Sequence, residues 1–485
     1  MMSLRLLVVA LLAAAAPIAC GGDDDDGGGG GADAGPDAAS GGDIADRLRA
    51  LPGVMTVDEK QPTLGDDYRY FEIAFDQPVD HDDPEGQHFT QHLTLVHRGE
   101  HEPFVLATTG YGNYYGEHAM EPTDLLQANQ LIIEHRYFLP SRPDPTDWNF
   151  LRVTQGAADH HDIAQSFHAI YDGPWVSTGG SKGGMTSIYH RYFYPDDVDA
   201  TIAYVAPYNQ GAGDARYDAW FDDTLPADCL AAVRAAQVDF LQNRRDALVA
   251  KATAEAEATS TQYTRVSIPA AVESAIEGVE WTFFQYTGVS GCDAIPGADA
   301  TDDQAWAWLA EINHPDGLSD DSLAFFDPYV YQSEAELGYP ATTDEHLEGL
   351  LQFGDADYAG AEPPEMPGAY DPSVVDAAAA WVTADSSKIL FIYGQFDPWT
   401  AGAYDLGSNE EDTSYTVQRG THNSEIFDLP AEQQTAAISL IERWTGAQVR
   451  PPSLRASWFR FRPREPHPPL RAWEMARRAR LGAPR

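Results

Sequence analysis

A glycine-dense turn holds the residue best suited to nucleophilic chemistry. Residues 179–184 read Gly-Gly-Ser-Lys-Gly-Gly, which places Ser181 in the pattern G-x-S-x-G. In this pattern a strand leads into the turn and a helix leaves it, so that the serine hydroxyl projects from a sheet. The apolar run 175–178 and the helical pattern 185–193 supply both elements. We predict that Ser181 is a nucleophile; the alternative is a glycine-rich turn without chemistry.

An activated serine needs a general base, and the base needs an acid that orients it. In chains with this kind of turn, the acid and then the histidine follow the serine. Asp397 comes just after the apolar strand pattern 388–393, and His422 lies in a loop before the last helical pattern, 432–444. We predict that Asp397 and His422 complete a triad with Ser181; the alternative for His422 is an ordinary surface histidine.

Acyl transfer also requires donors for the negative charge that develops on the carbonyl oxygen of the substrate. Two backbone N–H groups usually serve, one after the nucleophile and one in the loop after an early strand. The predicted donors are Lys182 and Tyr111, the latter in the glycine-rich loop 109–112. The histidines at 88, 92, 160 and 161 fit no H-E-x-x-H pattern, so we expect no catalytic metal and no cofactor.

Composition excludes some partners. The chain has 485 residues, with 30 Lys and Arg against 76 Asp and Glu, a formal net charge of −46. Such an acidic surface repels phosphate groups, so we exclude nucleic acid as a partner and disfavour anionic membrane surfaces. Hydrophobic residues make up 43% of the chain, which is enough to build a large core.

Strand and helix patterns alternate through much of the chain. Strand-like runs at 104–108, 131–135 and 201–205 accompany those already described, and 155–171 has helical spacing. This alternation predicts an α/β fold with a mostly parallel sheet.

A stretch of helical patterns interrupts the alternation, and 230–257 and 272–286 are its clearest parts. We interpret residues 209–360 as a helical cap between the two parts of the core, 44–208 and 361–449. Cys229 and Cys292 both fall in the cap. They are the only pair left if Cys20 carries lipid, so we expect a disulfide between them in an exported protein, with two free thiols as the alternative.

The ends are expected to lie outside the fold. Residues 1–20 combine Arg5 with an apolar run too short to span a bilayer, which indicates an export signal. Cys20 follows a small residue, as in a bacterial lipoprotein signal; ordinary secretory cleavage is the alternative. The Gly/Asp-rich residues 21–43 are expected to be a disordered tether, and 450–485 form a basic tail of undecided role. Any membrane contact would be through lipid on Cys20.

Several longer strings resemble one known family. Residues 179–186, 134–138, 141–143, 204–207, 393–395 and 397–399 are similar to segments of the secreted tripeptidyl aminopeptidases of peptidase family S37. The Cys229 and Cys292 pair is similar too. The resemblance runs from about residue 54 to 445. It implies an α/β-hydrolase fold with a helical cap and release of tri- or tetrapeptides from free N-termini, often after proline. It also implies that Ser181, Asp397 and His422 form the triad.

An exopeptidase of this kind must hold the α-ammonium of its substrate. Three residues of extended chain place that group roughly 10 Å from the nucleophile. Asp214, at the start of the cap, is our first candidate for the acidic contact, and Glu134 is the second. Two other readings of the chain stay open: a carboxylesterase on the same scaffold, and a non-catalytic surface binding lipoprotein.

Overall fold

The computed structural model describes residues 42–113, 116–341 and 344–449. The predicted signal with Cys20, nearly all of the predicted tether and the basic tail lie outside these ranges. Within the described ranges, no helix is both long enough and apolar enough to cross a membrane.

Nine of the described strands form one sheet, in the order β1-β2-β3-β5-β4-β6-β7-β10-β11. β1, β2, β3 and β5 pair antiparallel, whereas the pairs from β5 through β4 to β11 are all parallel. A second small sheet pairs β8 with β9. The strands are β1 Val54–Lys60, β2 Arg69–Pro78, β3 His88–His97, β4 Phe104–Thr108, β5 Asn129–Ile133, β6 Trp175–Gly180, β7 Ala200–Tyr204, β8 Ala212–Asp214, β9 Tyr339–Pro340, β10 Ile389–Gly394 and β11 Thr413–Val417.

Helices cover both faces of the sheet and also build the cap. Those packed on the sheet are α1 to α4, α12 and α13, and those of the cap are α5 to α11. Their bounds are α1 Ile44–Arg49, α2 Glu121–Leu126, α3 Val153–Phe167, α4 Lys182–Phe193, α5 Arg216–Thr224, α6 Ala227–Asp239, α7 Arg245–Thr259, α8 Ile268–Glu277, α9 Val279–Thr282, α10 Asp302–Ile312, α11 Asp320–Gln332, α12 Ser373–Ala384 and α13 Ala431–Thr445.

The central strands are buried along their whole length because helices lie on both faces. β4, β5, β7 and β10 have no exposed residue. Leu106 and Leu131 point into the core that contains Phe167 of α3, whereas Val105 and Ile132 point into the opposite core. Apolar runs without alternation are what such a doubly covered parallel sheet requires.

The cap lies between β7 and β10 and has its own apolar core, which includes Tyr217, Trp281 and Trp308. The predicted helical stretch 230–257 is two helices, α6 and α7, joined by a π-helical turn at Phe240–Arg244. α10 begins at a capping box in which Thr301 and Gln304 exchange hydrogen bonds, which explains why that helix starts there.

A disulfide fixes part of the cap. Cys229 in α6 is bonded to Cys292 in the turn after α9, with their Cα atoms 5.5 Å apart. The next core element after the cap is α12, which packs against α4 through an apolar cluster that contains Met185 and Val375. The chain thus returns to the sheet before β10.

Parallel pairing brings the carboxyl ends of β4, β6, β7, β10 and β11 to one edge of the sheet. Sites in open α/β sheets lie at this edge, where the loops leave the strands. Ser181 follows β6, Asp397 follows β10, and His422 follows β11. The fold therefore delivers all three side chains to the same edge.

Candidate active site

The turn at Ser181 has a strained backbone. Ser181 has φ 55° and ψ −127°, lies directly between β6 and α4, and is half-buried. A side chain at positive φ is costly unless its surroundings enforce it, and nucleophile turns of this shape project the hydroxyl from the sheet. The Ser181 N–H donates to the carbonyl oxygen of Tyr204 at 2.9 Å, which ties the turn to the end of β7.

Glycines make this turn possible because backbone approaches backbone. A Cβ on Gly183 would overlap the carbonyl oxygen of Thr108, at the end of β4. Gly110 has φ +69°, and a Cβ there would lie 2.6 Å from the Gly183 nitrogen. The loop after β4 therefore lies directly against the nucleophile turn, as an oxyanion loop must.

Asp397 and His422 form a close pair. His422 Nδ1 lies 2.7 Å from Asp397 Oδ2, and both side chains are buried. Burial raises the pKa of Asp397, and the hydrogen bond from His422 opposes that rise. An ionised carboxylate only accepts, so Nδ1 carries the proton and Nε2 is the basic nitrogen.

The other oxygen of Asp397 is also occupied. Its Oδ1 accepts the N–H of Trp399 at 3.1 Å, and Trp399 and Phe396 are both embedded in the apolar core of the cap. The carboxylate is thus fixed on both sides, and it can hold the His422 ring in one orientation.

The His422 loop is attached to distant parts of the chain. The His422 N–H donates to the carbonyl oxygen of Gln285 in the cap at 2.7 Å, and the ring of Tyr286 meets the imidazole edge-on at 5.8 Å. On its other side, Glu121 accepts the N–H groups of Ile426 and Phe427 at 2.9 and 3.0 Å. Sequence reasoning missed these supports, since no motif marks them.

Ser181 and Asp397 flank the end of one strand. β7 lies between β6 and β10, so the Ser181 turn and the Asp397 loop leave the sheet on either side of it. Two strand spacings are roughly 10 Å, a gap that an imidazole held by the carboxylate can bridge. The arrangement suits a hydroxyl, a base and an orienting acid in series.

The two predicted oxyanion donors lie at this same place. Lys182 is the first residue of α4, where backbone N–H groups have no partner within the helix. Tyr111 follows Gly110, and its N–H donates to Thr109 Oγ1 at 3.1 Å. To bind an oxyanion, the Tyr111 N–H must either leave Thr109 Oγ1 or donate to both acceptors at once.

Asp214 is engaged with its own loop. Both of its oxygens accept hydrogen bonds from the guanidinium of Arg216, and Oδ2 also accepts the Gln210 N–H at 2.8 Å. Burial opposes ionisation, but these hydrogen bonds lower the pKa of the carboxyl. These contacts hold the Asp214 carboxylate within its own loop.

Glu134 lies next to the loop that carries Tyr111. Its Oε2 accepts the Asn113 N–H at 2.8 Å, and its Oε1 accepts both the N–H and the hydroxyl of Ser141. A Cβ added to Gly112 would lie 3.7 Å from Oε2, so this carboxylate lies against the loop that carries Tyr111.

The remaining histidines have structural partners. His161 and His190 both contact Asp197 at 2.8 Å, and His160 Nδ1 bonds to the Gly156 carbonyl oxygen. Across the part of the chain that the structure describes, no three His, Cys, Asp or Glu side chains are grouped so as to hold a metal ion.

Residues 36–462 match the family described as PS-10 peptidase S37. The chain is 35% identical over 421 residues to the prolyl tri/tetrapeptidyl aminopeptidase of Streptomyces mobaraensis, covering 86% of this chain and 87% of that protein. Solved structures similar to this chain include proline iminopeptidase from Mycobacterium smegmatis, with 12% identity, a TM-score of 0.37, and coverage of 77% of this chain and 98% of that one. Another is a peroxisomal α/β-hydrolase from Saccharomyces cerevisiae, with 11% identity, a TM-score of 0.35, and coverage of 86% and 97%. The sheet topology and the Ser181 turn are those of an α/β-hydrolase fold.

Proposed function

Because this chain belongs to peptidase family S37 and is a serine peptidase, we propose that it releases tri- or tetrapeptides from free N-termini, with proline preferred before the cleaved bond. The preference and the release length follow the name of the relative from Streptomyces mobaraensis. The observation that carries the chemistry is the 2.7 Å contact between His422 and Asp397 at the sheet edge that also bears the strained Ser181 turn.

The proposed acylation step begins with proton transfer. His422 Nε2 takes the Ser181 hydroxyl proton while Oγ attacks the carbonyl carbon before the scissile bond. Asp397, which accepts from Nδ1, stabilises the imidazolium that results. The N–H groups of Lys182 and Tyr111 receive the developing oxyanion. His422 then protonates the leaving amine, and the C–N bond breaks.

Deacylation reverses these roles for a water molecule. His422 removes a proton from water, the hydroxide attacks the acyl-serine, and the proton returns to Ser181 as the short peptide leaves. Burial of both His422 and Asp397 keeps bulk water away from their hydrogen bond, which strengthens it electrostatically.

Recognition of the free N-terminus needs an acidic group within the length of a tripeptide. Both candidates already accept hydrogen bonds from neighbouring residues, Asp214 from Arg216 and Glu134 from Asn113 and Ser141. Only Glu134 contacts the loop that carries Tyr111. We therefore propose Glu134 as the contact for the substrate ammonium, either directly or through Asn113, whose N–H donates to Glu134.

Export is part of the proposal. The apolar segment 1–20 supports it, and so does the disulfide in the cap, because such bonds persist in oxidising compartments. Lipid on Cys20 is tested by labelling cells with a palmitate analogue: wild-type protein should carry label, and Cys20→Ala should not.

Matched peptides test the activity. Peptides beginning Ala-Ala-Pro are offered with a free or an acetylated N-terminus, beside a short p-nitrophenyl ester, and products are read by mass spectrometry. We expect release of Ala-Ala-Pro from the free peptide only, and no release by Ser181→Ala. Equal cleavage of acetylated peptides would refute exopeptidase action, and hydrolysis of the ester alone would identify a carboxylesterase. No turnover of any substrate would favour a binding protein.

A further inference from the structure

The side chain of Lys182 folds back beneath the nucleophile turn. It is fully enclosed, and its Nζ donates to the carbonyl oxygen of Gly110 at 2.6 Å. Sequence reasoning uses only the backbone N–H of Lys182, so this second contact between the same residue and the oxyanion loop is not explained by the triad.

The surroundings of the ammonium are largely apolar and aromatic. Nζ lies 5.5 Å from the ring centroids of Tyr111 and Phe138, and the side chain borders a small cavity also lined by His135 and Gln332. Burial lowers the pKa of Lys182 to about 7, and the carboxylate of Glu336 opposes that shift. Burying a lysine is costly, so its retention against an active-site loop calls for a compensating role.

Peptide geometry connects this contact to the oxyanion hole. The carbonyl of Gly110 and the N–H of Tyr111 belong to one peptide unit, and in a planar trans unit they point in opposite directions. A donor that fixes the carbonyl therefore fixes the direction of the N–H. Gly110 has φ +69° and no Cβ, so its own side chain adds nothing to hold the unit in place.

A donor on the carbonyl oxygen also polarises the peptide unit, most strongly when the Lys182 amine is protonated. Electron density drawn toward Gly110 O makes the Tyr111 N–H a stronger donor, an effect that grows where the local dielectric is low. The present partner of that N–H is Thr109 Oγ1 at 3.1 Å, near the long end of the usual range. An oxyanion competes well for it, because charge-assisted hydrogen bonds are stronger.

We propose that the Lys182 side chain is a positioning residue: by binding the Gly110 carbonyl it orients the Gly110–Tyr111 peptide unit as the second donor of the oxyanion hole. One residue then supplies one donor through its backbone and sets the other through its side chain. The inference rests on the proposed acyl-transfer function. It concerns the transition state, so it should affect kcat and leave ground-state binding nearly unchanged.

The test uses Lys182→Met, which keeps the length of the side chain and removes the donor. The matched control is Gln332→Leu, which removes a polar group from the same cavity without touching the loop. Each variant is assayed for kcat and KM on an Ala-Ala-Pro peptide. Each is also titrated with Ala-Ala-prolinal, which forms a tetrahedral adduct, and with Ala-Ala-prolinol, which cannot.

We expect Lys182→Met to lower kcat by about 10²- to 10³-fold, the usual loss for one oxyanion donor. Its Ki for the aldehyde should rise in proportion, whereas KM and the Ki for the alcohol should stay within about threefold. Lys182→Arg, which keeps a cationic donor, should recover at least part of kcat. Gln332→Leu should behave as wild type.

Two results would overturn the inference. One is a kcat for Lys182→Met within about threefold of wild type, and the other is an equal loss of aldehyde and alcohol binding, which indicates general disorder. If the Met variant does not fold, Lys182→Gln is measured with the same two inhibitors and judged by the same results. Ser181→Ala separates the two claims: if it is active, the proposed function fails, and if it is dead while Lys182→Met is fully active, only this inference fails.

Discussion

The turn that carries Ser181 and the loop that carries His422 are held in opposite ways. The turn is fixed by main-chain contacts inside the sheet: its N–H bonds to Tyr204, and Gly183 packs on the carbonyl of Thr108. The loop is fixed from outside, by the Gln285 carbonyl of the cap and by the Glu121 carboxylate. The core thus builds the nucleophile by itself, whereas the base takes one of its backbone supports, the Gln285 carbonyl, from the cap.

Because of this difference, the Ser181 turn and the His422 loop should respond to different kinds of damage. Damage to the packing of the turn should cost activity and the stability of the core together. Damage to the cap should loosen the base while leaving the nucleophile turn intact. The changes below test that division, from the largest expected effect to the smallest.

Removing the hydroxyl tests the turn itself. Ser181→Ala and Ser181→Gly should each lower kcat by about 10⁶-fold, since the nucleophile is lost. Ser181 has φ 55°, so glycine should relieve strain that alanine keeps, and Ser181→Gly should be more stable than Ser181→Ala by about 1 kcal/mol. Urea unfolding measures the gap; equal stability of the two variants would show that the turn is unstrained.

Asp397→Asn tests the orientation of the base. The asparagine side chain has one acceptor oxygen, and its NH2 group only donates. The His422 ring should then take the wrong tautomer, and kcat should fall by about 10⁴-fold with the fold intact. Asp385→Asn, an exposed change before the amino end of β10 and away from the triad, is the control. A fall of less than tenfold for Asp397→Asn would remove Asp397 from the triad.

Removing the disulfide tests the dependence of the base on the cap. The bond joins residues separated by 63 positions, and its loss from the double variant Cys229→Ser, Cys292→Ser should cost about 4 kcal/mol. Hydrogen exchange should quicken at 283–294 and 420–424 but not at 179–184. Equal quickening of all three segments would contradict the division between turn and loop.

Gly183→Ala tests how tightly the turn packs. The new methyl would overlap the Thr108 carbonyl oxygen, so we expect a loss of about 3 kcal/mol and of most activity. A Cβ on Gly368 meets no described atom within 4 Å, which makes Gly368→Ala the matched control. Similar thermal midpoints for the two variants would contradict the close packing of Gly183 against the Thr108 carbonyl oxygen.

Lys182→Met tests the buried charge under the turn through pH. Unfolded lysine titrates near 10.5 and Lys182 near 7, so between these values the unfolded state binds more protons and the wild type gains stability as pH rises. The Met variant should therefore be more stable than wild type by about 2 kcal/mol near pH 7, with the gap shrinking toward pH 10. Urea unfolding at pH 7, 8.5 and 10 checks this; a constant or widening gap would contradict it.

The comparison also explains which parts of the molecule a sequence can reveal. β4 spans Phe104–Thr108, the predicted limits, because a strand covered on both faces must be an uninterrupted apolar run. The Ser181 turn can be recognised in the sequence because its backbone geometry requires glycine at fixed offsets from the serine. Both features are local, and local physics leaves a pattern in neighbouring residues.

The supports of the His422 loop are not local and left no such pattern. Glu121 is one of 76 acidic residues, and only the folded chain shows that it holds Ile426 and Phe427. The direction of the Lys182 side chain is equally invisible in sequence. The ion pair of Asp214 with Arg216 is local, since the two residues are two positions apart, and the sequence spacing could have indicated it.

The most direct test of the triad is the covalent mapping of a fluorophosphonate probe. The account predicts one adduct per chain, on Ser181, with His422→Ala cutting the labelling rate at least about 10³-fold because the hydroxyl then lacks its base. An adduct on any other residue, or an unchanged rate in His422→Ala, would contradict the assignment of Ser181 and His422 as nucleophile and base.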